Sequence, residues 1–178
     1  MSQCLNPDCL HKNAEGNKFC QKCGSKLLLQ ERYQAVKLIG QGGFGKTFLA
    51  VDYGKPSQPY CVIKQFFPSA QGTDTVQKAS ELFEKEAIRL DELGKHPQIP
   101  DLLGYLTHED QRQYLVQEYI PGKNLEQELK ENHVFNEAKI RALLGDLLPV
   151  LEFVHSQGVI HRDIKPENII RRETDNKA

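Results

Sequence analysis

Gly40-Gln41-Gly42-Gly43-Phe44-Gly45-Lys46-Thr47 fits two phosphate-binding patterns that demand incompatible folds. As G-x-x-x-x-G-K-T it is a P-loop, with Lys46 and Thr47 on phosphate and Mg²⁺. As G-x-G-x-x-G it is either a dinucleotide fingerprint or the turn of a hairpin whose bare backbone closes over phosphates. The P-loop and the dinucleotide fingerprint must both open into a helix. Here Thr47-Phe48-Leu49-Ala50-Val51-Asp52 follows, β-branched and aromatic, then broken by Gly54 and Pro56. That is a second strand and not a first helical turn. With Tyr33, Val36, Leu38 and Ile39 in the strand-like run Arg32 to Gly40, the loop joins two antiparallel strands. The context disfavours both helix-opening readings, and a strand lysine downstream weighs further against them.

The β pattern continues in Tyr60-Cys61-Val62-Ile63-Lys64-Gln65-Phe66, a strand carrying one lysine. Gln71-Gly72-Thr73 is loop-like, and a helix is predicted from about Val76 to Leu93, ended by Gly94. Its mixed apolar face comprises Ala79, Leu82, Phe83, Glu86, Ile88, Leu90 and Leu93. Leu102 to Leu106 and Tyr114 to Glu118 then form a hairpin across His108-Glu109-Asp110. Past Pro121-Gly122 the period changes to helical. Asn124 can cap a short helix from Leu125 to Lys130, and Asn136 precedes a long one. In the long helix Ile140, Leu143, Leu144, Leu147, Leu151 and Val154 recur at helical spacing. Pro149 must kink or locally unpair it, and Gly158 ends it. Val159-Ile160 then leads into His161-Arg162-Asp163-Ile164-Lys165-Pro166-Glu167-Asn168, and Ile169-Ile170-Arg171 begins a strand.

The stretch from His161 to Asn168 resembles the catalytic loop of a protein kinase, and the motifs upstream follow in that family's order. The resemblance implies an α+β fold, a kinase small lobe plus the start of the helical large lobe. It implies that Asp163 accepts the substrate hydroxyl proton, that Asn168 holds Mg²⁺ and that Lys165 offsets charge on the transferred phosphoryl group. Lys165 with Pro-Glu-Asn after it is the form of the Ser/Thr kinases, so ATP and protein Ser or Thr hydroxyls are the implied substrates. Gly40, Gly42 and Gly45 become the phosphate cover, with Gly43, Phe44 and Thr47 beside them among the nucleotide-binding residues. Lys64 becomes the α/β-phosphate ligand, and Glu86 its helix partner, with Glu84 the alternative if the register slips. Val62 replaces the family's alanine against adenine and adds bulk there. Gln117 falls at the gatekeeper position, and Glu118 and Ile120 offer main-chain groups to the adenine. His161 braces backbone in the family, and His155 reads as packing near the loop. The D-F-G triplet, the activation segment and most of the large lobe do not follow, so the chain as given reads as truncated and inactive. The reading from a different class is a non-catalytic module that binds nucleotide or a protein partner. A kinase with a cysteine ribbon at its N-terminus most resembles cyanobacterial Ser/Thr protein kinases.

That ribbon rests on Cys4, Cys9, Cys20 and Cys23, four of the five cysteines in the chain. Cys20-Gln21-Lys22-Cys23-Gly24 lets two thiolates face one metal, with Gly24 permitting the turn. Cys4 and Cys9 flank Asn6-Pro7-Asp8, which is turn chemistry. The segment holds Phe19 and a few leucines, too little for a core, so Zn²⁺ would supply its folding energy. The rivals are two disulfides, disfavoured in a reducing compartment, or four idle thiols. His11 could replace a cysteine, although the set of four leaves it no place. Cys61 lies alone in an apolar strand and reads as a small hydrophobe.

Residues 1–26 are thus the zinc-ribbon-like module, 27–31 a linker, and 32–178 the N-terminal part of a kinase domain. A net charge of −1 without a Lys/Arg run gives no argument for nucleic acid or a membrane surface. No apolar run reaches spanning length and no signal-peptide pattern opens the chain, which places it in the cytoplasm. A protein partner could meet the ribbon or the exposed face of the long helix.

Overall fold

The structure, a computed structural model, describes the chain except residues 43–44, 67–72, 95, 109–111, 133, 176 and 178. For 73–76 and 132 the backbone alone is described. Gly43, Phe44, Gln71, Gly72, Glu109 and Asp110 therefore lie outside the described residues. Two compact units emerge: Met1–Asp91 with Asp101–Tyr119, and Glu92–Pro100 with Ile120–Ala178. The boundary between Tyr119 and Ile120 falls where the strand period gives way to the helical one.

In the first unit, β1 (Ser2–Gln3) and β2 (Lys12–Asn13) form a small antiparallel pair. A six-stranded antiparallel sheet follows, built from β3 (Leu28–Leu29), β4 (Tyr33–Gly42), β5 (Gly45–Asp52), β6 (Tyr60–Phe66), β7 (Leu102–Thr107) and β8 (Gln113–Glu118). Its strand order is β3-β4-β5-β6-β8-β7. Leu28–Leu29, in the stretch read as a connection, pair with Gln34 and Tyr33 and so form one edge of this sheet. Irregular register in β4, between Ala35 and Lys37 and between Leu38 and Gly40, adds twist. The sheet curls until the Tyr33 hydroxyl of β4 donates to the Leu103 carbonyl of β7, at 3.1 Å. Period-2 alternation divides β6 between two faces. Cys61 and Ile63 enter the curled interior with Tyr33, Ala35, Phe48, Ala50, Tyr114 and Val116.

Phe66 turns the other way, toward α1 (Thr73–Leu93), three residues longer at its start than the periodicity predicts. Ala79 and Ala87 are buried, and the Phe83 ring lies 5.3 Å from that of Phe66 and 6.2 Å from that of Tyr105. Leu82 and Ile88, read as part of the apolar face, are exposed instead. At 100° per residue they cannot share the narrow stripe of Ala79, Phe83 and Ala87.

Asp52, at the end of β5, is fully buried and receives both Arg32 Nε at 2.7 Å and Arg32 Nη2 at 2.8 Å. The Gly54 amide adds a third bond at 2.9 Å. The Arg32 guanidinium, outweighing burial and helped by the Gly54 amide, holds the Asp52 carboxyl below the usual range. Arg32→Ala is expected to destabilise the unit by about 3 kcal/mol at neutral pH, since it leaves a buried carboxylate without its cation. The wild-type contribution is present above the ordinary Asp pKa of about 3.9 and is lost as pH falls through the lowered folded value. Urea unfolding as a function of pH reads both effects. A variant within about 0.5 kcal/mol of wild type contradicts them.

In the second unit, β9 (Gly122–Asn124) pairs antiparallel with β10 (Ile170–Arg172). A Cβ on Gly122 would lie 2.1 Å from the Arg171 carbonyl oxygen, so only glycine permits this approach. Asn124 begins α2 (Leu125–Asn132) with reciprocal bonds: its Oδ1 accepts from the Gln127 amide and its own amide donates to Gln127 Oε1. Asn136 caps α3 (Glu137–Ser156) by accepting from the Lys139 amide at 2.9 Å. The helix runs through Pro149, whose missing N–H leaves the Gly145 carbonyl without its helical donor. It stops where Gly158, at φ +71°, donates to His155 O and Val159 donates to Val154 O, a Schellman pair. Val154 is the buried residue of α3, while Ile140, Leu144 and Leu148 are exposed.

Candidate functional site

Lys64 lies in β6 opposite Thr47 of β5 and Leu115 of β8. Alternation points it to the face of the sheet that α1 covers, and Nζ meets Glu86 Oε1 at 2.8 Å. Both side chains stay partly exposed, so the pair adds little stability and its value is positional. Glu81 and Glu84 lie on the exposed side of α1. Val62, two residues before Lys64 on the same face, is nearly buried.

The glycines of the β4–β5 hairpin differ in what the fold asks of them. A Cβ on Gly45 would lie 2.0 Å from the Gln65 carbonyl oxygen, so this glycine is required by the neighbouring strand. Gly40 would make only ordinary contact with Thr47, and a Cβ on Gly42 would meet nothing within 4 Å. Packing among the described residues therefore does not require a glycine at position 42. Glu118 donates its amide to the Asp101 carbonyl at 2.9 Å, which commits that N–H within the protein. Ile120 opens the second segment of the second unit.

In the second unit Asp163 stands in an exposed loop with two partners. Lys165 Nζ lies 3.2 Å from its Oδ1, and Asn168 Nδ2 donates to its Oδ2 at 2.8 Å and to its carbonyl at 2.9 Å. Lys165 first, and Asn168 after it, hold the Asp163 carboxyl below the usual carboxylate range. Asn168 sits at the end of a 3₁₀ turn, Pro166–Asn168, that bends the chain back over Asp163. With both Nδ2 bonds directed at Asp163, the Asn168 amide oxygen is of the ligand type that could hold a hard cation. His161 Nδ1 accepts from the Asp163 amide at 3.3 Å, a bracing bond. Arg162 has φ +62°, a left-handed conformation uncommon for a non-glycine residue and concentrated at functional sites. The residue patterns carry no signal for that strain.

The four N-terminal cysteines converge. Their sulfurs all lie within 4.8 Å of one another, with Cys4–Cys23 at 3.6 Å and Cys9–Cys20 at 3.7 Å. A tetrahedral thiolate site with metal–sulfur distances of about 2.3 Å has edges of about 3.8 Å, so this donor set fits one metal ion. Two turns hold it: the Cys9 amide donates to Asn6 O, and the Gly24 amide to Cys20 O with Gly24 at φ +74°. Burial works against the Cys20 thiolate, but the amides of Cys23 and Lys22 outweigh it and bring that thiol to about 6. Cys4, the most deeply placed, is pushed up by burial. Cys61 is fully buried in the sheet interior and is also pushed up, to about 11, by burial. Phe19 is exposed, and Leu5 and Leu27 are the buried leucines of this segment.

The protein kinase domain matches residues 33–177. The chain belongs to the protein kinase domain family. Among its curated relatives, serine/threonine-protein kinase B of Synechocystis sp. is 50% identical over 99% of this chain and 31% of that protein. Serine/threonine-protein kinase PknA of Nostoc sp. is 46% identical over 84% of this chain and 27% of that protein. The chain thus spans about a third of the curated relatives it matches. A solved structure described as PpkA-294 apo form superposes with a TM-score of 0.71 at 26% identity, covering 80% of this chain and 55% of that one. The first unit accordingly corresponds to the kinase small lobe, with its curled antiparallel sheet and single long helix. Among the described residues no helix is long and apolar enough to cross a membrane.

Proposed function

We propose that this chain carries the nucleotide-positioning half and the catalytic loop of a Ser/Thr protein kinase that moves the ATP γ-phosphate to protein Ser or Thr hydroxyls. The observation that carries this is Asp163, exposed yet held by both Lys165 and Asn168. In this reading Asp163 accepts the proton of the attacking hydroxyl, and Lys165 lies where the transferred phosphoryl gathers negative charge. Lys64, steadied by Glu86, binds the α/β-phosphates, while Gly40, Gly42 and Gly45 cover them and Gly43, Phe44 and Thr47 complete the nucleotide-binding loop. Val62 and the main chain of Glu118 and Ile120 seat the adenine, with the carbonyl of Glu118 rather than its committed amide facing the base. Mg²⁺, held on Asn168 when bound, would neutralise phosphate charge. Residues 1–26 form a zinc ribbon on Cys4, Cys9, Cys20 and Cys23, 27–31 join it to the kinase part beginning at 32, and the protein works in the cytoplasm. A protein partner meets it through the ribbon or the exposed face of α3.

Two lysines separate this reading from a P-loop. With a fluorescent ATP analogue, Lys64→Ala is expected to weaken binding at least about tenfold, because it removes a charge-assisted contact to phosphate. Lys46→Ala is expected to change it less than about twofold. Loss with Lys46→Ala but not with Lys64→Ala overturns the kinase assignment of the loop.

A further inference from the structure

The interior face of the small-lobe sheet, opposite Lys64, is closed in part by the cysteine module. Leu5 belongs to the same buried cluster as Tyr33, Phe48, Ile63, Tyr114 and Val116, and Leu10 packs against it. Gln65 follows Lys64 in β6 and, by alternation, points to the opposite face. It is 1% exposed, and its Nε2 donates to the Leu5 carbonyl at 2.7 Å and to the Tyr114 hydroxyl at 3.1 Å. Its Oε1 is buried with no partner among the described residues. With Oε1 already unpartnered, a Gln65 amide that loses the Leu5 carbonyl keeps only the Tyr114 hydroxyl, so the packing of β6 depends on that carbonyl being in place. What fixes that carbonyl is the adjoining metal-ligand turn: Cys4, next in sequence, donates its amide to His11 O and brings its sulfur into the four-thiol cluster. Gln65 also lies opposite Lys46, at the root of the glycine hairpin, and its carbonyl is the atom that Gly45 approaches. One strand therefore carries the phosphate lysine on one face and the ribbon's anchor on the other.

We propose that the cysteine module is a metal-dependent plug of the curled sheet, so that metal at the four cysteines and nucleotide at the Lys64 face are thermodynamically linked. Leu5 and Gln65 are the linking contact. This rests on the zinc reading of the cysteine cluster and goes beyond it, since a ribbon on a free tether would bind zinc equally well. Removing the metal frees Leu5 and unsettles β6 and the hairpin root. By reciprocity, nucleotide binding tightens the hold on the metal by the same factor.

The full chain, loaded with zinc and checked for metal content by native mass spectrometry, is treated with a chelator and followed by amide hydrogen exchange. Release of zinc is expected to accelerate exchange of both residues 1–26 and Tyr60–Phe66, and to weaken a fluorescent ATP analogue by about fivefold or more. The analogue is expected to slow zinc release correspondingly. In Gln65→Leu, whose side chain needs no bond from the ribbon, zinc content is expected to persist while the effect of chelation on Tyr60–Phe66 falls below about twofold. Should that variant fail to fold, Leu5→Ala, which leaves the strand's sequence intact, is read in the same way. Zinc that leaves and opens residues 1–26 while Tyr60–Phe66 and nucleotide affinity stay unchanged overturns the linkage alone. A chain that never holds zinc overturns the metal reading and the linkage together.

Discussion

Asp163→Asn is expected to lower phosphoryl transfer by about a hundredfold to ten-thousandfold, the range over which a positioned general base acts. The measurement belongs in a protein that carries this chain together with the rest of a kinase domain, with radiolabelled ATP and a Ser/Thr-containing substrate. Asparagine keeps the volume but cannot take up the hydroxyl proton. Nucleotide affinity is expected to stay within about twofold, because Lys64 and the glycine hairpin are untouched. The pH dependence has a definite sign. Lys165, then Asn168, hold the Asp163 carboxyl low, and the ionised form is the one that accepts a proton. The acid limb that Asp163 contributes therefore lies below the ordinary Asp value of about 3.9, and Lys165→Met is expected to move it upward. A variant that transfers phosphate at the wild-type rate removes Asp163 from the chemistry.

The small lobe was legible because its signals are local. Tyr60–Phe66 is a strand with the bounds that its β-branched and aromatic run suggests. Asn124 and Asn136 cap helices as their positions before apolar periods imply. The Gly40–Thr47 ambiguity was also local, since the residues after it could only extend as a strand. The burial of α1 was less legible. The sequence pattern makes its face too broad, because apolar residues on a helix do not announce which neighbour they meet, and Leu82 and Ile88 stay exposed.

The candidate site was legible where side-chain identity carries the chemistry and illegible where backbone does. Lys64, Glu86, Asp163, Lys165 and Asn168 stand out as residue types at motif spacing, and within each unit they meet. The left-handed turn at Arg162, the Gln65 side-chain bond to the Leu5 carbonyl and the commitment of the Glu118 amide each turn on main-chain geometry. No periodicity encodes them. Gln65 in particular reads as an ordinary polar residue on an alternating strand. Only the partner 60 residues upstream shows it to be buried.

Cys20→Ser with Cys23→Ser is expected to abolish zinc binding and unfold residues 1–26. Structural zinc contributes about 10–16 kcal/mol of apparent binding free energy in small modules of this kind, more than the few buried side chains of the segment can replace. Apart from the cysteines, the buried apolar side chain of residues 1–26 is Leu5, with Leu27 just past it, and Phe19 is exposed. The rival chemistry is disfavoured by the geometry: all five cysteines are free, and the nearest sulfurs stand 3.6 Å and 3.7 Å apart, against the bond of about 2.05 Å that a disulfide needs. Native mass spectrometry of the wild type should show one zinc per chain, and the double variant none. Acid acts in the same direction as the substitution, because protons compete with the metal for thiolates, so zinc content is expected to fall as the pH is lowered. The four positions are not equivalent. Cys4 is buried beside the Leu5 anchor and Cys23 is exposed at the rim. Cys4→Ser is therefore expected to disturb the sheet beneath as well as the metal, and Cys23→Ser chiefly the metal. A double serine variant that keeps a full complement of zinc would show that other ligands hold it.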